Sequence, residues 1–153
     1  MEAAKIARSG KSLQQVATEV RQIIPNIHLL ILFETLKYLA KGGRIGKAKA
    51  LLGSILSVKP LLTVKDGELL PAGQVRTRFK GIQRLFDFAK NAVDIQNLSI
   101  LYSTTPDEAQ TLAERVGSIF PREQIMLARL GPALGVHGGP GVLAIGFREK
   151  HKG

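Results

Sequence analysis

The chain has 153 residues, 44% of them hydrophobic, and a mean hydropathy of +0.07, which suits one folded domain with a real core rather than a disordered segment. It has no cysteine, so disulfide frameworks and thiolate chemistry are excluded. No apolar run approaches the roughly 20 residues that cross a bilayer, and the N-terminus lacks the apolar stretch of a signal peptide. The expectation is therefore a cytoplasmic protein.

Charge is uneven along the chain. The 22 Lys and Arg exceed the 12 Asp and Glu by +10, and twelve of the cations fall between Lys37 and Lys90, where only Asp66, Glu68 and Asp87 oppose them. Such a field favours an anionic partner, whether nucleic acid, an acidic protein surface or a small anionic ligand. Aromatic residues make up only 5% and tryptophan is absent, so platforms for stacking bases are scarce.

In chain order, "EAAKIA" forms helix at once with no capping residue before it, as though the chain entered inside a helix and an upstream domain were missing. Ser12 and Gln15 make a capping box, followed by Leu13, Val16, Val20 and Ile23 at helical spacing, and Pro25-Asn26 stops that helix. "HLLILF" (28–33) is apolar on both faces, as a central strand requires. A short helix over 34–41 ends at Gly42-Gly43. After "RIGK" a further helix is expected, with Ala48, Leu51, Leu52, Ile55 and Leu56 on one stripe.

Asp66-Gly67 is the two-residue turn of a hairpin. If its second strand continues through "QVRTRFK", Arg76, Arg78 and Lys80 share one face. Ile82, Leu85, Phe86, Ala89 and Val93 mark the next helix. Strand 97–103, helix 106–120 and strand 124–130 form a βαβ unit, with the helix opened by Thr105-Pro106. "GVLAIGF" is the last strand, and the basic tail after it is solvated. The fold class is α/β (α+β-like): one domain over 1–153, with a mixed sheet of about six strands and about five helices.

Three segments offer chemistry. "KGGRIGKAKALLG" sets glycines and Arg44 before a helix whose first turn is basic, so backbone N–H groups and Arg44 would meet an anion. Lys47 and Lys49 oppose the helix dipole there, which calls for a compensating negative charge. The alternating cations at 76, 78 and 80 invite an acidic partner or serve to block strand-edge pairing. His137 lies between glycines in "GVHGGPG", read as a tight turn, and either faces water or places a polar tip at a binding site. The three histidines (28, 137, 151) lack metal-ligand spacing, and "GGRIGKAKA" departs from a phosphate-binding loop at the residue after its lysine. The residues alone lead to an α/β domain that binds something anionic.

The ordered string "YLAKGGRIGKAKALLGSILSVKPLLTVKDGELLPAGQVRTR", together with the βαβ unit and "GPALGVHGGPGVLAIGF", resembles the C-terminal half of the DegV family of bacterial lipid-binding proteins. The resemblance implies a protein of roughly twice this length, in which one long-chain fatty acid lies between two α/β domains with its tail in an apolar tunnel. Some members serve as the fatty-acid-binding subunits of a fatty acid kinase. It implies a carrier rather than an enzyme, no cofactor beyond the bound fatty acid, and no specific nucleic acid. Arg44 and His137 would meet the carboxylate, Leu51, Leu52, Ile55 and Leu56 would line the tunnel, and Arg76 and Arg78 would dock a kinase subunit. An isolated half would expose an apolar face and tend to self-associate. Two positions depart from the family's pattern: Gly46, where a hydroxyl residue is usual, and Gly138, where threonine is common. The alternatives are a basic nucleic-acid-binding domain and an enzyme using His137 as general acid or base.

Overall fold

The computed structural model describes residues 2–51 and 58–150. Two helices open the chain, α1 (Glu2–Arg8) and α2 (Leu13–Ile23), followed by β1 (Ile27–Leu32), α3 (Lys37–Lys41), and the hairpin β2 (Lys59–Lys65) and β3 (Glu68–Val75). Next come α4 (Arg78–Lys90), β4 (Ile95–Tyr102), α5 (Pro106–Val116), β5 (Ile125–Arg129), α6 (Pro132–Gly138) and β6 (Leu143–Glu149). The strands form one six-stranded sheet in the order β3-β2-β1-β6-β4-β5. Among the described strands only β4 and β5 run parallel, joined across α5 as the βαβ reading requires, and every other pair is antiparallel. The mixed sheet of six strands is thus as expected.

Local chemistry accounts for most boundaries. The Ser12 hydroxyl accepts from the Gln15 amide while Gln15 Oε1 accepts from the Ser12 amide, so the capping box forms at the start of α2. Asp66 and Gly67 take φ of 51° and 78°, the two positive values that a tight hairpin turn of this hand requires. Two boundaries differ from the sequence reading. The strand leading into "RTRFK" stops at Val75, because the Thr77 hydroxyl accepts from the Lys80 amide and starts α4. Arg76, Arg78 and Lys80 therefore do not share a strand face. The helix expected after "RIGK" is a 3-10 segment over Gly46–Leu51, entered through Gly46 at φ 48°; Leu52, Ile55 and Leu56 lie outside the described residues.

The two faces of the sheet are treated differently. Residues paired across one face, Leu30, Leu32, Leu61, Leu98, Ile100, Leu143, Ile145 and Phe147, are sealed beneath α4 and α5 with Leu85, Leu112 and Val116. Helix α4 comes close enough that a methyl group on Gly81 would sit 2.6 Å from the Leu32 side chain. The opposite face carries Leu29 and Ile31 of β1, Ala144 and Gly146 of β6, and Ser99 and Leu101 of β4. There the Leu and Ile residues are only half-buried, so β1 is central in the sheet without being covered on both sides. A groove of about 550 Å³ runs along this face between the sheet at Ser99, Met126 and Gly146 and the helical segments at Ala3, Val20 and Ile23. The Glu2–Arg148 ion pair, 3.8 Å, ties α1 across it.

The close approach at Gly81 yields a test. Alanine there gains roughly 1 kcal/mol of helix propensity but overpacks a sealed core at a cost of roughly 1–3 kcal/mol. Gly81→Ala is expected to lower the urea midpoint, a net loss of about 1 kcal/mol, and Leu32→Ala in the same chain to cost less than the two single changes summed.

Candidate functional site

The end of the molecule beyond β1 is organised by a helix stop. Gly43 takes φ 67°, its amide donates to the Ala40 carbonyl at 3.1 Å, and the Arg44 amide donates to Leu39 O at 2.9 Å. This is the Schellman arrangement, in which a left-handed glycine closes the last turn of a helix. The amides of Gly42, Gly43 and Arg44 are all consumed inside the cap, so the backbone anion cradle expected from "GGRI" is not formed. What the cap delivers instead is the Arg44 side chain. It curls back so that Nη1 donates to Gly42 O at 2.9 Å, and no carboxylate among the described residues pairs with it.

His137 reaches the same glycine from a distant part of the sequence. It sits in the last turn of α6, a short helix where the sequence reading placed a tight turn; the turn follows the histidine, at Gly139 (φ 76°) and Gly141 (φ 74°). Pro132 at the first helical position supplies the start signal that "GPALGVHGG" contains. The imidazole packs on Gly42 so closely that a Cβ there would lie 2.1 Å from Nδ1, and that nitrogen is buried without a hydrogen-bond partner. Tyr38 packs in the same manner on Gly139, where a Cβ would meet the ring at 2.2 Å. Arg44 and His137 therefore converge on Gly42, one at its carbonyl and one over its α-carbon.

An apolar cluster lies beneath this end. Phe33, Leu36, Leu39, Ala48, Leu62 and Val142 are buried together, with Ile31, Ile45, Leu51 and Leu69 against them. Leu51, the one expected tunnel residue within the described segment, belongs to this cluster and is half-buried. Both departures from the family pattern have local reasons. Gly46 needs its left-handed backbone, and a Cβ on Gly138 would approach Val142 Cγ2 at 3.0 Å.

The remaining cations separate in role. Lys47 pairs with Glu68 of the hairpin at 2.7 Å, which supplies the negative charge that its position calls for and raises its pKa. Arg76 is exposed beyond the end of β3, beside exposed Phe79 and Lys80. Arg78, expected to dock a partner, is engaged within the chain. Its Nη2 donates to Glu108 Oε2 at 2.6 Å, its Nε reaches both carboxylate oxygens at 3.2 Å, and its Nη1 donates to Gly141 O at 2.6 Å. Sequence reasoning read Arg78 as a docking cation because alternation along a strand hides the helix start that turns it inward. The hydrogen bonds from Arg78, and then its charge, hold the Glu108 carboxyl below the usual range against the opposing effect of partial burial.

A single mixed sheet, sealed by helices on one face and half-open on the other, defines an α/β domain, with an arginine that has no ion-pair partner among the described residues and a histidine meeting at one end of it. Residues 1–150 match the family described as "Uncharacterised protein, DegV family", and the chain belongs to it. A DegV domain-containing protein of Streptomyces coelicolor is 35% identical over 149 residues, covering 94% of this chain and 52% of that protein. A structure described as fatty acid binding of a DegV family protein from Thermus thermophilus is 30% identical with a TM-score of 0.86, covering 97% of this chain and 55% of that one. A fatty acid binding DegV family protein of Streptococcus agalactiae is 26% identical, again with a TM-score of 0.86, covering 97% and 53%. The chain spans about half the length of the relatives it matches.

The Arg78–Glu108 pair makes a signed prediction. A carboxyl whose pKa is lowered on folding contributes stability above its unfolded value, about 4.3, and that contribution is lost as pH falls through the lower folded value. The gap in melting temperature between the parent chain and Glu108→Gln is expected to be widest near neutrality and to close below about pH 4, as calorimetry across pH would show.

Proposed function

We propose that this chain binds a long-chain fatty acid, with its carboxylate at Arg44 and His137 and its tail along the half-open face of the sheet. The observation that carries this reading is the convergence on Gly42, above an apolar cluster, of an imidazole and a guanidinium that no carboxylate among the described residues neutralises. An ionised carboxylate leaving water needs a cation and hydrogen-bond donors, and Arg44 has four N–H donors beyond the one it gives to Gly42 O. Since Nδ1 of His137 lies against Gly42, Nε2 is the nitrogen that would meet the ligand.

The path for the tail follows from the strands. From Phe33 at the Arg44 end to Ile27 at the far end, β1 advances ~20 Å, the span of an extended long acyl chain. Ile31 and Leu29 lie along that line, both half-buried, and the 550 Å³ groove lined by Ile27, Ser99 and Met126 opens at its end. Each methylene buried there contributes about 0.8 kcal/mol. The fatty acid binding stated for the Thermus and Streptococcus relatives supports the same ligand class. The role is that of a carrier, which holds the carboxylate for a fatty acid kinase subunit. Arg76, exposed beside Phe79 and Lys80, would meet an acidic surface on that partner.

Solvent extraction of the purified protein followed by mass spectrometry should release a long-chain fatty acid; parent protein from which none is recovered, and which takes none up on exchange, refutes the reading. Gly42→Ala is the discriminating change. Gly42 has φ −80°, which alanine accepts, yet its methyl group would displace the imidazole. It is expected to lower retention of a long-chain carboxylate at least as much as His137→Ala, while circular dichroism stays unchanged. Arg76→Glu is expected to leave retention intact and slow association with the kinase subunit, an effect that added salt reduces.

A further inference from the structure

The short helix that carries His137 has little core of its own. Among its residues only Gly138 is buried, while Leu134 and Val136 are 64% and 66% exposed. Apolar packing of its own side chains therefore does not fix where the histidine sits, and the helix depends on what holds its C-terminal end. Tyr38 packs on Gly139 at that end, and the turn that follows is held by polar groups. The Gly141 amide donates to Thr104 Oγ1 at 2.9 Å, and its carbonyl accepts from Arg78 Nη1 at 2.6 Å. The next amide, Val142, donates to the buried Ser103 hydroxyl at 2.9 Å. Arg78 is in turn oriented by the bidentate Glu108 carboxylate, which leaves Nη1 aimed at the carbonyl.

We infer that Arg78, Glu108 and Thr104 are positioning residues for His137. They clamp both backbone polar groups of Gly141 and so set the imidazole over Gly42. The clamp draws its parts from the start of α4, the loop leading into α5 and the first turn of α5, all rooted on the sealed side of the sheet. It thereby refers the position of a weakly packed helix to the most rigid part of the molecule. The N–H fork of arginine serves the carboxylate through Nε and Nη2 and the carbonyl through Nη1, a fixed planar geometry that the single nitrogen of lysine does not reproduce. Within the proposed function, the clamp tunes the headgroup site without touching the ligand.

The test follows the histidine rings themselves. In the nitrogen-15-labelled chain at pH 7, the His137 ring resonances are compared with those of His28, which stacks on Phe147 on the sealed face and serves as reference. Arg78→Lys, Glu108→Gln and Thr104→Val are each expected to move the His137 signals and leave those of His28 in place, and Thr104→Ser to restore them. The three shifting variants should lose about tenfold in affinity for a long-chain carboxylate, the low end of what orienting partners contribute elsewhere, and nothing for the matching alcohol. Folded variants whose His137 signals stay at the parent positions overturn the inference, and so do variants that move His28 equally. Should Arg78→Lys fail to fold, Thr104→Val decides, since it removes a single hydrogen bond at an exposed hydroxyl. If the parent chain binds no fatty acid, the headgroup reading fails on its own and the ring signals still decide the clamp.

Discussion

Gly42 lacks a Cβ, and the end of the molecule is arranged around that missing atom. The imidazole of His137 occupies the space a side chain would take, and the guanidinium of Arg44 folds onto the carbonyl of the same residue. The helix stop that makes this possible is a local event, set by two consecutive glycines closing a five-residue helix. The other half is non-local, since His137 follows Gly42 by 95 positions and comes from the far side of β6. An ordinary helix stop thus becomes a contact surface when a second, weakly packed helix is laid against it.

Much of the fold could be read from residues, and the reasons differ by element. The hairpin turn at Asp66-Gly67, the capping box at Ser12 and the helix opened by Pro106 are each specified within four residues, and each appears where expected. Thr105 shows the limit of such reading: α5 starts after it, but its hydroxyl makes no capping bond. The run "QVRTRFK" is ambiguous in principle, because its alternation fits a strand while Thr77 fits a helix cap, and the structure follows the cap. Helix α6 was invisible for a related reason. A segment with four glycines and one proline in ten residues reads as turn, and its helical form rests on contacts with α3 and the 141–142 turn.

The site itself was legible only in part. Arg44 and His137 could be singled out through family resemblance, and their shared contact with Gly42 gives that pairing a physical form. The intramolecular engagement of Arg78 could not be read, because nothing in the sequence near it announces Glu108, 30 residues away. Its side chain is 19% exposed and that of Glu108 31%, so the pair is neither a solvent-screened surface contact nor a fully desolvated one. Removing the arginine would leave a partly buried carboxylate and the Gly141 carbonyl without their donor, which is where its structural weight lies.

The asymmetry of the sheet ties these features together. Alternation along β1 and β6 sends large side chains, Leu30, Leu32, Leu143 and Ile145, to the face sealed by α4 and α5, and Ala144 and Gly146 to the other. Period-two alternation requires only that the two faces differ; it does not require that one be lined with small residues. A face meant to be packed by helices would be expected to carry volume, since voids cost stability. Here β6 carries small residues that its neighbours close over: Ala144 is buried at 3% exposure and Gly146 lies under the Leu29 side chain, while the groove beside Val20 and Ile23 opens at the Gly146 end. The accessible apolar surface of this face is thus set by which small residue a flanking side chain fails to cover, and it lies in the groove at the Gly146 end rather than along the whole of β6.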